Sequence, residues 1–529
     1  MSVMIEIFER AAKITASNDV LSLLNDILTR EVEGAEFIKR RNNGKGWDGK
    51  YRFYSKISNT VAPGIVPYVV KLLEKMGEKV SVSDKRWTFP LRKSDIVNLQ
   101  VYDKKKKKCV PEAYRDYQID SIVRLSKNAG GLIHIATNGG KSFIITGLIL
   151  SIIEKSPLKA LVLVHRKELL TQTVDLFLAN CDKEVVGQIA ANKIEVEGKQ
   201  IVVAMVQTLN KRLSKLGDKA TRDDEAVLNY VQDTGILVID EVHHATAKTY
   251  KKIIKTIKKC MIKTGFSGTI PSTKDIAGLE LRGMLGAVVK RIKNKELIDR
   301  GISLIPKVFM FYIPLADMTK FKKQCKKDYF VKRTQEEKDP YAGMGGYVFQ
   351  RVYEEGIVYN QLQTGAVINV TKMLIKKKLQ VLIIVNRKET HGVELSATFD
   401  EHDIKHVVWT GDTKDKDRAD VQREFGEKET PVMIATSVVD EGLNIHAIDC
   451  IILASGLKAH VQLLQRLGRG LRTGSSNKYL LVIDFFHQGE KSLTSHSKQR
   501  LRLWKDEQLD VACVDNVTEL EELLEPLVL

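Results

Sequence analysis

A chain of 529 residues that is 43% hydrophobic carries enough apolar side chain for several cores, and its length suggests three or four domains. With 84 Lys and Arg against 66 Asp and Glu, the formal charge of +18 points to a polyanionic partner, usually nucleic acid, with a solvated basic surface as the plain alternative. The six cysteines form no CxxC pair, which argues against a zinc site and suits a reducing cytosol; no apolar run approaches the ~18 residues of a membrane span, so a cytoplasmic protein is expected.

Residues 1–103 read as a small, separate α+β unit. Between Glu36 and Tyr54 basic and apolar residues alternate around Trp47-Asp48-Gly49, and Asp-Gly between extended runs signals a hairpin. Ile65 to Met76 reads as an amphipathic helix with Val69, Leu72, Leu73 and Met76 on one side. The charges Lys39, Arg40, Arg41, Lys45, Lys50 and Arg52 make a basic cluster suited to nucleic acid, while Trp47, Tyr51 and Tyr54 could stack on bases or simply pack. The lysine run within 104–110 reads as a basic linker, because adjacent like charges repel and stay solvated.

From 111 to 298, short apolar runs alternate with helix-like stretches. Leu132–Ala136, Ala160–Val164, Ile201–Ala204 and Ile236–Ile239 fit buried parallel strands with crossover helices. A second series, 299–487, places strands at Lys307–Ile313, Val381–Val385, His406–Val408, Val432–Ala435, Cys450–Leu453 and Leu480–Ile483. A lysine-rich insertion at 318–346, with Gly343, Gly345 and Gly346, reads as flexible, and 488–529 reads as a short helical tail.

Two distant segments make sense together. Ala136-Thr137-Asn138-Gly139-Gly140-Lys141-Ser142 follows an apolar strand and opens a helical run. Backbone N–H groups at such a junction form an anion nest, Gly139 and Gly140 allow close approach, Lys141 would reach the β- and γ-phosphates, and Ser142 would ligate Mg²⁺. The strict phosphate-loop pattern is not met, since Ile135 replaces its first glycine. Ile236 to Ile239 ends in Asp240-Glu241-Val242-His243-His244, where Asp240 would hold the metal shell, Glu241 would orient and deprotonate water, and His243 would sense the γ-phosphate. Far downstream, Gln465, Arg469 and Arg472 could serve the same nucleotide; the two arginines stand three apart, on one face of a helix, and a guanidinium pairs bidentately with phosphate.

In this order ATNGGKS, DEVHH, Ser267-Gly268-Thr269 and QRLGRGLR resemble the superfamily 2 DExH helicases over roughly 111–487. The resemblance implies two tandem RecA-like lobes that use ATP and Mg²⁺. It implies adenine recognition by Arg115 and Gln118 of the segment Tyr114 to Gln118, nucleotide contacts from Thr137, Gly442 and Asn444, and nucleic-acid contacts from Arg166, Gln207, Thr208, Arg387, Thr410, Gly411 and Thr436. Asn444 stands where many relatives carry aspartate.

FIKRRNNGKGWDGKYRFY near the N-terminus is further similar to the small nucleic-acid-binding domain of the phage UvsW-type recombination and fork-remodelling helicases. That implies a monomeric motor acting on branched or forked DNA (Holliday junctions, D-loops, DNA–RNA hybrids) alongside recombination and replication proteins, in the host cytoplasm if phage-encoded. An RNA-dependent DExH ATPase, the motor of a restriction-type nuclease, and a binding protein with a vestigial ATP site are the competing readings.

Overall fold

The computed structural model describes residues 3–32, 35, 47–103, 106–136, 138–191, 193–215, 220–245, 247–336, 339, 341, 343–386, 388–410, 415–436, 448–456, 479–506 and 509–527. The chain divides into two compact units, Met1–Lys293 and Asn294–Leu529.

The first unit begins with a sheet in the order Tyr54–Ser55, Thr60–Val61, Ala12–Thr15, Val3–Ile7, Val80–Asp84, antiparallel except for its last pair. Val3, Ile5 and Ile7 alternate inward, and Ala12 and Ile14 do the same from the neighbouring strand, the period of two that a one-sided sheet requires. Helix Val66–Lys75 covers that face with Val66, Val69 and Leu73, and it starts after a single tight turn at Pro63–Ile65.

The strand after Asp48-Gly49, Lys50–Arg52, pairs antiparallel with Thr29–Glu31, and the other arm of the expected hairpin, 36–46, lies outside the described residues. One expectation needs correction here. The lysine run is no linker. Its described part, Lys106 to Lys108, is exposed and lies between and at the start of the paired strands Leu99–Asp103 and Lys108–Glu112, where like charges remain solvated without breaking the ladder. Residues 3–73 build a core that also takes in one side chain from farther along the chain: Leu279, from helix Ile276–Leu285, is fully buried in the same cluster as Ile5, Val69 and Leu73. At Gly64 a Cβ would lie 2.0 Å from the Arg282 carbonyl oxygen, so the two backbones touch where only glycine fits.

The rest of the first unit is one sheet. Among the described residues its order is Lys193–Ile194, Val186–Ala190, Ile201–Met205, Lys159–Val164, Thr234–Asp240, Ile262–Ser267, Gly130–Ile135, Val288–Ile292, all parallel except the outermost pair at Lys193–Ile194. The four strands expected from sequence are present and central. Val186–Ala190, Lys193–Ile194, Ile262–Ser267 and Val288–Ile292 escaped detection because Gly187, Lys263 and Lys290 interrupt their apolar runs.

The second unit is a parallel sheet in the order His406–Trp409, Val432–Ala435, Val381–Ile384, Cys450–Leu453, Tyr479–Gln488, Ile305–Pro314, Asp510–Val514. All six expected strands form. The tail is not wholly helical: Asp510–Val514 pairs with Lys307–Phe311 as the edge strand, between helices Lys491–Asp506 and Val517–Leu524. The lysine-rich insertion is ordered as helices Thr319–Gln335 and Met344–Tyr353, which share a small core of Met318, Cys325, Val348, Val352 and Ile357. Gly343, at φ +84, starts the second helix instead of loosening the segment. Among the described residues no helix is long and apolar enough to cross a membrane.

Candidate nucleotide site

Strand Gly130–Ile135 delivers the glycine-lysine loop to the C-terminal edge of the sheet, where ligands bind in open parallel folds. Asn138 takes φ +69 and Gly140 φ +77, a left-handed pair that turns the chain into helix Lys141–Ile153. Asparagine is one of the few side chains that tolerates this conformation, which explains why a residue other than glycine can stand at 138. The helix buries Ile144, Ile145, Leu148, Ile149 and Ile152 nearly all round, so its N-terminus is rigidly placed.

The loop is gripped from outside. Gln118 Nε2 donates to the Gly139 carbonyl at 3.2 Å, the Tyr117 hydroxyl donates to the same oxygen at 3.1 Å, and Arg115 Nη1 donates to the Asn138 carbonyl at 3.0 Å. A Cβ at Gly140 would meet Gln118 Nε2 at 2.2 Å. Packing against Gln118 is thus a second reason for glycine there. Arg115 and Gln118, expected at the adenine, brace the loop backbone.

Strand Thr234–Asp240 is buried throughout and ends on the two carboxylates. Glu241 is forced to φ +50, a strained position for a side chain of its size. Its carboxylate forms an ion pair with the Lys141 ammonium, and both groups are about nine-tenths buried. Ser267 Oγ donates to Glu241 Oε2 at 3.2 Å and lies 2.9 Å from His243 Nδ1. His243 Nδ1 is 3.4 Å from Glu241 Oε2, and the Thr269 N–H donates to Ser267 Oγ at 3.1 Å. His134, on the strand that feeds the loop, reaches the Gly268 carbonyl at 2.9 Å. Burial, with Asp240 and Glu241 near it, pushes the Tyr250 phenol up to about 12.

The residues present fit a nucleoside triphosphate with a divalent cation. A buried ammonium and a helix N-terminus face two carboxylates, the donor set that phosphate and its metal need. Both atoms of the Asn138 side-chain amide are buried without a hydrogen-bond partner, as expected of a group awaiting a ligand. Asp240 and Ser142 would hold the cation; Ser142 is exposed on the first helical turn, and Asp240 is buried at the strand end.

Ser267 stood out in the sequence only as part of the Ser267-Gly268-Thr269 motif, with no role at the nucleotide assigned to it. It sits at the end of an interrupted strand, and only the fold brings it to Glu241. The brace from Tyr117 and the contact from His134 carry no sequence signal of their own. Thr137, Gly442, Asn444, Gln465, Arg469 and Arg472 lie outside the described residues, as do Arg40, Arg41, Arg387 and Gly411.

Of the remaining nucleic-acid candidates, Arg166 begins helix Lys167–Leu178 half-buried, and Gln207, exposed in helix Val206–Leu213, points its amide at the His165 carbonyl. These two follow neighbouring strands of one sheet, so they share an edge. In the second unit Thr410 and Thr436, both buried, follow the paired strands His406–Trp409 and Val432–Ala435. Lys50 is exposed, and Arg52 is paired with Asp48. Tyr54 is core, its hydroxyl bonded to Asn59; Tyr51 donates to Glu280 at 2.7 Å.

A phosphate loop, a strand-end carboxylate pair and a second parallel α/β unit together define a two-lobed P-loop ATPase. Two family models match, "Type III restriction enzyme, res subunit" over residues 111–272 and "Helicase conserved C-terminal domain" over 365–474. The ATP-dependent DNA helicase uvsW of Enterobacteria phage T4 is 23% identical over 518 residues, 92% of this chain and 91% of that protein. The helicase IRC3 of Saccharomyces cerevisiae is 26% identical over 390 residues, 70% of this chain, which spans only 51% of the yeast protein. In fold, the chain matches yeast Dbp5 bound to RNA and ADP BeF3 with a TM-score of 0.50, at 16% identity, over 78% of this chain and 93% of that one. The chain thus resembles the superfamily 2 helicases of the UvsW type, which supports a nucleic-acid-dependent ATP hydrolase.

Proposed function

We propose that this protein is an ATP-driven DNA motor that unwinds or migrates branched DNA: Holliday junctions, forks, D-loops and DNA–RNA hybrids. The observation that carries the motor reading is the buried constellation of Lys141, Glu241, Ser267 and His243 at the sheet edge. A triphosphate competes with Glu241 for Lys141, since phosphate oxygens carry more charge. Its arrival frees the Glu241 carboxylate, still held by Ser267, to orient the attacking water. His243, bonded to the same serine, transmits the change to the segment Ser267 to Thr269. Arg469 and Arg472 are assigned to the charge that develops in phosphoryl transfer. Near full-length similarity to the phage T4 DNA helicase supports DNA over RNA.

The test is the rate of ATP hydrolysis with four-way DNA junctions, single-stranded DNA, duplex DNA and structured RNA at one fixed salt. Strong stimulation by junctions or forks is expected. Stimulation by RNA alone would make the chain an RNA-dependent ATPase. The restriction-subunit match over 111–272 favours one second reading, the motor of a nuclease complex, and no stimulation by any of the four would point there.

A further inference from the structure

The insertion in the second unit has a face that its own core does not use. Helix Thr319–Gln335 carries six lysines and Arg333 against a single acidic residue, Asp328. Inward, Cys325 is buried with Val348 and Val352, and Lys322 is tied to Glu490. Outward, a groove of about 450 Å³ is lined by Lys326, Lys327, Phe330, Val331, Tyr341 and Met344. Phe330 is 39% exposed and Tyr341 71%, and their rings meet edge to face at 5.7 Å. Tyr341 is held in place: its N–H donates to Asp339 Oδ1 at 2.9 Å, and Arg333 Nε donates to the Asp339 carbonyl at 3.2 Å.

An exposed aromatic pair beside two exposed lysines, whose stems line the same groove, matches one chemistry closely. Unpaired bases offer π-faces to Phe330 and Tyr341, and the phosphates joining them meet Lys326 and Lys327. Duplex bases keep their faces stacked and would use the lysines alone. We infer that the groove between Lys326, Phe330 and Tyr341 binds a single strand of DNA, a contact separate from the residues 166, 207, 208, 410 and 436 expected to grip the translocated strand. The inference rests on the proposed DNA-motor reading and adds to it a site that captures the strand exposed at a branch.

The test uses the full chain with Phe330→Ala and, separately, with Lys326→Glu and Lys327→Glu combined. Anisotropy with a labelled oligothymidylate, a blunt duplex and an RNA strand is measured beside ATP hydrolysis without nucleic acid. Both variants should bind the oligothymidylate about tenfold more weakly at low salt, with duplex affinity falling less in Phe330→Ala and basal hydrolysis unchanged. Wild-type stimulation by DNA with unaltered strand affinity in both variants would overturn the groove alone and leave an acidic peptide as its occupant. A loss confined to the charge variant would overturn the single-strand assignment, and tighter binding of RNA than of DNA would overturn the commitment to DNA. A wild type that neither binds nor responds to any nucleic acid would overturn the motor reading itself.

Discussion

Lys141 has two anions to choose between, the Glu241 carboxylate and a nucleotide phosphate, and the site depends on that choice. Lys141→Ala should abolish ATP hydrolysis while DNA affinity, measured by anisotropy, stays within about threefold of wild type. It also leaves Glu241 buried without its cation, which costs on the order of 3–5 kcal/mol in comparable pairs. A lower Tm is therefore expected, and the double variant Lys141→Gln with Glu241→Gln should recover the Tm but not the activity. Wild-type turnover in Lys141→Ala would refute the site. Ser267→Ala keeps Lys141 and Asp240 but releases Glu241 and His243. It should lower kcat about tenfold or more with little change in KM for ATP, since the serine positions the base without touching nucleotide. Glycine and lysine at 139–141 made the phosphate loop legible from the chain. The Ser267-Gly268-Thr269 motif was legible as well, but not the contact of Ser267 with Glu241, which comes from strand pairing that sets Phe266 beside Asp240.

Helix Ile276–Leu285 links the N-terminal sheet to the ATPase sheet. Leu279 enters the N-terminal core, Glu280 accepts from Tyr51 at 2.7 Å and from Lys251 at 2.6 Å, and Arg282 donates to the Pro271 carbonyl at 2.9 Å, just past the Ser267–Thr269 segment. Burial and Glu280 together push the Tyr51 phenol up to about 12. Gly64→Ala would place a methyl against the Arg282 carbonyl and force the two elements apart, at about 1–3 kcal/mol. A Tm equal to wild type in that variant would show that the contact is not closed in solution. The helices at 319–335 and 344–353 were hidden by their lysines and glycines, which read as solvated loop. Their ordering comes from a few apolar residues spaced to meet one another, too sparse for a periodic signal.

At the scale of the whole chain, removal of residues 1–103 should weaken junction affinity, as the basic cluster implies. It also uncovers Leu279, so a lower Tm is expected as well, and unchanged junction affinity would remove the N-terminal sheet from DNA recognition. Acid should destabilise the protein through the second unit. Burial lowers His391 from 6.5 to about 4, and burial with Arg500 nearby lowers His487 to about 3. Both imidazoles are neutral in the fold and take up protons on unfolding. Their contribution is complete above the unfolded value and is lost as pH falls toward the folded ones, at about 1.4 kcal/mol per pH unit for each group. Tm should therefore fall between about pH 6.5 and 4, and a flat profile across that window would contradict the burial of both rings.

The sequence by itself determined the parallel-sheet class, ten of the strands, and the residues Lys141, Asp240, Glu241 and His243. Those features are local: an apolar run, a glycine beside a lysine, two carboxylates at a strand end. Tertiary structure alone decided that Ser267 joins Glu241 to His243, that Arg115 and Gln118 brace the phosphate loop, that the N-terminal sheet shares a core with lobe one, and that Asp510–Val514 completes the second sheet. Each of these is a contact between residues far apart in the chain. A hydrogen bond or a buried leucine of that kind depends on where another element ends, which composition and periodicity within either segment do not encode.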